Sequence, residues 1–366
     1  MSVTATEPVT PPTAELAGAV EQAKLRYVSD HEPGLGRKRA GKGFSYTGLG
    51  GQRITDKETR KRLGALVIPP AWRDVWICSD EHGHIQATGR DERGRKQYLY
   101  HPEWHRVRDT AKFDRMLEFG KLLPRIRRRV QKDLALPGLP KDKVLAAVVK
   151  LLETTLIRVG NTTYAKENGS YGLTTIRKKH AHVSGETVEF DFTGKSGKEW
   201  DIKLKDKKIA KIVQKCEALP GYELFKYYDE AGELQDLESG DVNAYLKDVT
   251  GEDVSAKDFR TWAGTVLATF TLTGLEPSQT KTQATKNVTV AIKEVAKKLG
   301  NTPAVCRRSY VHPDVIDCYL DGSLTELAEV REAVSSSLPK GLRVEEVAVL
   351  RFLEAREALQ NSAADG

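Results

Sequence analysis

Residues 186–204 read Glu186-Thr-Val-Glu-Phe-Asp-Phe-Thr-Gly-Lys-Ser-Gly-Lys-Glu-Trp-Asp-Ile-Lys-Leu204. Val188, Phe190 and Phe192 alternate with charged side chains, and Trp200, Ile202 and Leu204 alternate after the turn Thr193-Gly-Lys-Ser-Gly-Lys198. Successive strand side chains point to opposite faces, so this pattern predicts a β-hairpin with one buried face. The sequence around it has a different period. Val144, Val148, Leu151, Leu152 and Leu156 form one stripe of a helix expected over 141–157. Further helices are expected over 112–134, with Pro124 as a kink or second start, and over 239–249 with Ser239 as N-cap. Others follow over 256–271, 285–299, 303–310 and 344–359. A hairpin set among helices defines a mainly α-helical domain over 109–359.

Ahead of it, residues 26–108 read as a smaller, mixed α+β domain, so the fold class is α+β. This domain opens with the basic, glycine-rich run Gly34-Leu-Gly-Arg-Lys-Arg-Ala-Gly-Lys-Gly43. Thr55-Asp-Lys-Glu58 has the form of a capping box, with Thr55 as N-cap of a short helix that Pro69-Pro70 ends. Strands are expected over 74–78, 84–88 and 97–100, separated by Gly83 and by 91–94. Residues 1–25, with Pro8, Pro11 and Pro12, read as a disordered lead, and 360–366 as a polar tail. No internal repeat is visible.

At 366 residues, with 39% hydrophobic and 30% charged side chains, the chain has material for two soluble domains. No apolar run approaches the ~20 residues of a membrane span, and the first residues lack the basic start and apolar block of a signal peptide. The net charge is +7, and residues 1–20 contribute only Glu7 and Glu15 to it. The basic excess therefore belongs to the folded part and favours an anionic polymer, nucleic acid before membrane. Cys78, Cys216, Cys306 and Cys318 form no CxxC pair and read as reduced, buried thiols of a cytoplasmic protein. His82 with His84, and His180 with His182, could each share a strand face, but no third ligand is spaced to complete a metal site. No metal or other cofactor is expected.

Four places could carry chemistry. Arg158 follows the striped helix in Ile157-Arg-Val-Gly-Asn161, where it could simply meet the helix dipole, with Gly160 as a left-handed stop. Lys195 sits in the hairpin turn between Gly194 and Gly197, where a lysine is ordinarily solvated but could reach a single oxygen. Lys257 and Arg260 share a helix face beside the stripe Phe259, Trp262, Val266 and Phe270; that face suits water or a phosphate. In Leu299-Gly-Asn-Thr-Pro-Ala-Val-Cys-Arg-Arg-Ser-Tyr310, Gly300 ends one helix, Asn301 or Thr302 caps the next, and Tyr310 falls near its end.

Taken in order, Arg158, Lys195, Lys257-x-x-Arg260 and Asn301-Thr-Pro303 followed by Tyr310 resemble the catalytic set of type IB DNA topoisomerases, in the bacterial and poxvirus-type branch. The words Gly94-Arg-Lys-Gln-Tyr-Leu-Tyr-His-Pro-Glu-Trp104, Ile157-Arg-Val-Gly-Asn-Thr-Thr-Tyr164, Tyr171-Gly-Leu-Thr-Thr-Ile176 and Phe192-Thr-Gly-Lys195 resemble the family as well. The likeness spans roughly residues 30 to 355. Many members carry His where this chain has Asn301; Asn can donate a hydrogen bond to a phosphate but cannot become cationic.

The resemblance implies a helical domain related to the tyrosine recombinase catalytic fold and a monomer acting on duplex DNA at the nucleoid, in the cytoplasm. Tyr310 would be the nucleophile, Arg158, Arg260 and Asn301 would stabilise the transition state, and Lys195 would be the general acid. Gln97, Tyr98, Tyr100, Tyr164 and Lys257 would contact DNA, with the N-terminal domain clamping the duplex. A tyrosine recombinase would share the chemistry, but usually shows His-x-x-Arg where Lys257-x-x-Arg260 stands, and a helical N-terminal domain. A DNA-binding protein without activity would need none of these side chains together.

Overall fold

A computed structural model of the chain describes residues 20–21, 23–92, 94–276, 278–325 and 338–364, and among these not the side chains of 105–111, 114, 164, 360, 361, 363 and 364. It divides into two units that meet in sequence at Asp114 and Arg115.

In the first unit, β1 (Leu35–Ala40), β2 (Gly43–Thr47), β3 (Arg73–Ile77), β4 (Ile85–Arg90) and β5 (Lys96–Tyr100) form an antiparallel sheet in the order β2-β1-β3-β4-β5. The basic, glycine-rich run is thus half of a hairpin, with Arg37 opposite Tyr46. Its polar side chains find local partners. Arg37 donates to the carbonyls of Ile68, Pro69 and Trp72 and lies 4.2 Å over the Phe44 ring. The short helix α1 (Lys57–Ala65) starts one residue later than the capping-box reading. Asp56 is its N-cap, with a carboxylate accepting from Thr59 N at 2.7 Å.

Part of the stretch read as a lead over 1–25 is packed. Val20 and Leu25 are buried with Trp104, while residues 1–19 lie outside the described ones. The histidine pairs do not share faces. His82 is exposed beside Asp80, whereas His84 is buried, stacked on Tyr27 at 4.1 Å, and accepts from Val28 N. His180 lies in a single helical turn ahead of a strand that carries His182.

The long helix α2 (Pro102–Asp133) crosses the boundary between the units. Pro124 lies inside it, so there is no second start. The second unit continues with α3 (Lys141–Thr155) and α4 (Thr162–Asn168), then β6 (Ala181–Ser184), β7 (Thr187–Gly194) and β8 (Lys198–Lys205). The predicted hairpin is β7–β8, with Phe192 opposite Trp200; β6 adds an edge strand that the two-residue alternation did not reveal. Then come α5 (Lys207–Glu217), the strand pair β9 (Lys226–Tyr228) and β10 (Leu234–Asp236), α6 (Ser239–Thr250) and α7 (Ala256–Thr273). They are followed by α8 (Lys281–Leu299), α9 (Pro303–Ser309), α10 (Pro313–Asp321) and α11 (Val344–Ala364). Glu238, not Ser239, precedes α6, and its N–H is held by Asp241 at 2.9 Å. The last helix runs on through most of the stretch read as a polar tail.

A buried cluster of Ala268, Leu272, Val288, Ala291, Ile292, Val295, Leu299, Cys306, Val311, Val315 and Ile316 joins α7, α8, α9 and α10. Apolar side chains at helical spacing on four elements close over one another, which fixes the ends of α8 and α9 against α7. All four cysteines are buried free thiols. Among the described residues, no helix is long and apolar enough to cross a membrane, and no three His, Cys, Asp or Glu side chains group so as to hold a metal ion.

Candidate active site

α3 ends in an unusual way. Leu156, at φ 60°, is the left-handed stop of the helix, and Gly160, also at positive φ (107°), lies beyond it. A non-glycine residue at such a stop costs on the order of 1 kcal/mol and needs outside support. The support is Arg260, which donates through Nη1 to the Leu156 carbonyl and through Nη2 to the Leu299 carbonyl at 2.7 Å. One guanidinium thereby ties together the ends of α3 and α8. The residues after Leu156 are pinned from the other side, as Leu173 N and Thr174 N donate to the carbonyls of Arg158 and Val159 at 2.9 and 2.7 Å.

Arg158 projects from this pinned segment. Its Nη2 donates to the Asn301 side-chain oxygen and, at 3.4 Å, to the Gly300 carbonyl. Gly300 and Asn301 follow α8 directly, so Arg158 and Arg260 rest on the same turn.

Of the pair for which the sequence left water and phosphate both open, Arg260 is only 3% exposed, while Lys257, one turn earlier, is exposed. The reason is α7 itself, where Phe259 and Trp262, both 3% exposed, flank Arg260 and draw that face into the core. Among the described residues no carboxylate lies within salt-bridge reach of Arg158 or Arg260, and Arg260 Nε and Asn301 Nδ2 are buried without a hydrogen-bond partner.. Burial pushes Arg260 down to about 10, with Arg158 adding to the shift and Tyr310 opposing it. Both guanidiniums keep their charge at neutral pH, because arginine titrates far above it. Buried cations without carboxylates are expensive unless an anion joins them.

Tyr310 caps the end of α9, its N–H donating to the Cys306 carbonyl at 2.9 Å. Its backbone is seated on α7. A side chain on Gly264 would collide with the Tyr310 carbonyl oxygen, and Thr265 Oγ1 accepts from His312 N at 3.0 Å. The Arg260 guanidinium lies 5.4 Å from the centre of the Tyr310 ring. Burial pushes the Tyr310 phenol up, but Arg260, Lys257 and Arg158 outweigh it, so the net direction is below the usual tyrosine range.

These side chains meet in one cavity of about 300 Å³, lined by Arg158, Lys195, Lys257, Arg260 and Tyr310 together with Asn161, Ser170 and Tyr171. Lys195 reaches it from the exposed turn between β7 and β8, where Ser196 and Gly197 have φ of 66° and 72°. Asn301 stands behind Arg158 instead of on the cavity wall. Tyr171 and Ser170 were not singled out from the sequence; the signal that could have found them is the word Tyr171-Gly-Leu, whose Tyr171 N donates to Thr193 O at 2.9 Å, beside the Lys195 turn.

Of the sequence-predicted DNA contacts, Lys257 lines this cavity, and Gln97, Tyr98, Tyr100 and Tyr164 are not among its lining residues. On β5, Tyr98 and Tyr100 share a face with their rings stacked 5.9 Å apart, while Gln97 donates to Asp91 at 3.0 Å from the other face. Tyr98 is 43% exposed. Tyr164 belongs to α4, and its side chain lies outside the described ones.

Such a cavity holds a phenol lowered toward ionisation, a buried and a half-buried guanidinium with no carboxylate partner among the described residues, and a lysine on a turn. It is suited to nucleophilic attack on a phosphate ester. Comparison with known proteins gives the family. The family model described as Eukaryotic DNA topoisomerase I, catalytic core, matches residues 101–334, and that described as Bacterial DNA topoisomerase IB, N-terminal domain, matches 43–91. DNA topoisomerase 1B of Acanthamoeba polyphaga mimivirus is 30% identical over 294 residues, covering 78% of this chain and 87% of that protein. DNA topoisomerase 1B of Vaccinia virus (strain Copenhagen) is 24% identical over 246 residues, 66% of this chain and 74% of its own. DNA topoisomerase 1 of Rabbit fibroma virus is 23% identical over 272 residues, 71% of this chain and 81% of its own. On this evidence the chain belongs to the type IB DNA topoisomerases, a family of isomerases.

Proposed function

We propose that the chain relaxes supercoiled duplex DNA by cutting and resealing one strand through a covalent bond to Tyr310, using neither ATP nor a metal ion. The observation that carries this reading is the single cavity lined by Tyr310, Arg158, Arg260, Lys257 and Lys195, whose guanidiniums have no carboxylate partner among the described residues. A phosphodiester supplies the missing anion.

In the cleavage step the Tyr310 phenolate attacks phosphorus. The bond from phosphorus to the tyrosine oxygen forms as the bond to the 5′-oxygen breaks, leaving a 3′-phosphotyrosine. Lys195 gives its proton to the departing 5′-oxygen, which would otherwise leave poorly. Charge growing on the non-bridging oxygens is met by Arg158 and Arg260, with Asn301 acting through Arg158, whose guanidinium its side-chain oxygen holds. The diester keeps its bond energy, so the free 5′-hydroxyl can reverse the step without ATP. Rotation of the free end between the two steps releases supercoils of either sign.

Gln97, Tyr98, Tyr100, Tyr164 and Lys257 are assigned to DNA contact, with Gln97 able to read base edges. The domain limits 26–108 and 109–359, kinship of the helical unit with tyrosine recombinases, and a monomer working at the nucleoid belong to the same reading. The test is incubation with supercoiled plasmid in EDTA and without ATP. Relaxed circles, together with a protein–DNA adduct trapped by detergent at a 3′ end, are expected. A mobility shift with unchanged linking number leaves a DNA binder; rearranged DNA points to a recombinase.

A further inference from the structure

Gly194 immediately precedes Lys195, yet its backbone, at φ −95° and ψ −168°, is extended and open to any residue. What requires glycine there is space. A Cβ on Gly194 would lie 2.6 Å from Nε1 and 2.8 Å from Cδ1 of the Trp200 indole. The other end of the same indole lies against Gly300, where a Cβ would collide with Cζ2 and come 3.0 Å from Cη2. Gly300 has φ 59° as the stop of α8, a conformation Asn can also adopt. Trp200 leaves room for glycine alone. The indole is 8% exposed and stacks on Phe192, across the β7–β8 ladder, at 6.3 Å.

Each glycine adjoins part of the site. Gly194 is one residue from Lys195. Gly300 gives its carbonyl to Arg158 and stands between Leu299, whose carbonyl accepts from Arg260, and Asn301, which accepts from Arg158. The Lys195 turn is exposed, with Ser196 and Gly197 at positive φ, and the indole packs at its base against Gly194.

We propose that Trp200 is the positioning residue for Lys195. Its indole, wedged between two bare glycines, sets the hairpin turn against the turn after α8 that accepts hydrogen bonds from both arginines. Lys195 then meets the leaving oxygen without a search. This proposal rests on the assignment of Lys195 to the site, and its test separates the two.

The experiment measures single-turnover cleavage by the full chain on ordinary DNA and on DNA whose scissile 5′-oxygen is replaced by sulfur, a leaving group that needs no proton. Trp200→Ala is expected to slow cleavage of ordinary DNA ~10-fold or more, within the ~10²–10⁴-fold scale of losing the acid itself. Most of the rate should return on the sulfur substrate, DNA affinity should stay within a few-fold, and Trp200→Phe should lie between. Adding Trp200→Ala to Lys195→Ala should cost nothing further. Should Trp200→Ala fold poorly, Gly194→Ala displaces the indole from the turn alone and must show the same pattern. Equal slowing on both substrates, or losses that multiply in the double variant, overturns the proposal. If Lys195→Ala is itself not rescued by sulfur, Lys195 is not the acid, and the double variant still decides whether Trp200 acts through it.

Discussion

Tyr310 and Tyr319 stand nine residues apart and differ in what surrounds the oxygen. The Tyr319 hydroxyl accepts from Asn287 Nδ2 at 2.6 Å and its ring packs on the core, whereas Tyr310 lines the cavity with the cations. Tyr310→Phe should therefore abolish the covalent DNA adduct and leave non-covalent binding nearly intact, while Tyr319→Phe should still form it; the reverse pattern in a detergent-trapping assay overturns the assignment. The charges also set a pH dependence. Arg260, Lys257 and Arg158 favour the phenolate, so the rise of cleavage rate with pH should come earlier than an ordinary tyrosine, near pH ~10, would give. Lys257→Ala removes one of these charges and should move that rise to higher pH. An unchanged profile would mean that Tyr310 is not the group titrating. Lys195→Ala should slow cleavage by ~10²–10⁴-fold and recover on 5′-sulfur DNA. Arg260→Ala, whose work is on the non-bridging oxygens, should lose ~10²–10³-fold and not recover. Of these residues the sequence showed type and order; it did not show Arg260 as buried, because the carbonyls that hold it come from 104 and 39 residues away.

Among the elements, α11 is fastened to α2 and α3 by one buried ion cluster. Arg127 donates to both carboxylate oxygens of Glu346, at 2.8 and 2.6 Å, and to Glu153 at 2.7 Å; Glu346 is only 3% exposed. Burial pushes the Glu346 carboxyl up, but Arg127 and the Arg343 N–H more than offset it, so it stays charged. Glu346→Ala leaves Arg127 under-compensated and should cost about 3 kcal/mol, measured by urea unfolding. In the first unit, burial lowers His84 to about 4 from an ordinary 6.5. The fold favours neutral His84, so that stability is fully present above pH 6.5 and is lost as pH falls toward 4. At ~1.4 kcal/mol per unit the loss is on the order of 3 kcal/mol, and unfolding of His84→Gln should lack it. A wild-type midpoint flat across that window would contradict the buried neutral ring.

For the molecule as a whole, the +7 charge and the cavity cations make DNA affinity a matter of displaced counterions. Binding should weaken steeply with salt, log K falling with log salt by about 0.9 per phosphate contacted. Relaxation should persist in EDTA, since the proposed chemistry draws its positive charge from side chains; activity restored only by one divalent ion would count against it. The amino-acid sequence by itself determined the elements. Alternation of period two made the β7–β8 hairpin visible, while a stripe of helical period, the Pro303 start and the Gly300 stop made α3, α8 and α9 visible, because these are signals between near neighbours. It also held the order Arg158, Lys195, Lys257, Arg260, Asn301, Tyr310, which speaks only through resemblance, each residue alone having an ordinary explanation. Tertiary structure decided the rest. The glycine-rich run became β1 through pairing with β2, α3 stopped at a left-handed Leu156 because Arg260 holds its carbonyl, and Trp200 settled between Gly194 and Gly300. Each depends on a partner distant in the chain, and no local pattern of residues encodes which distant carbonyl, strand or glycine will be there to receive it.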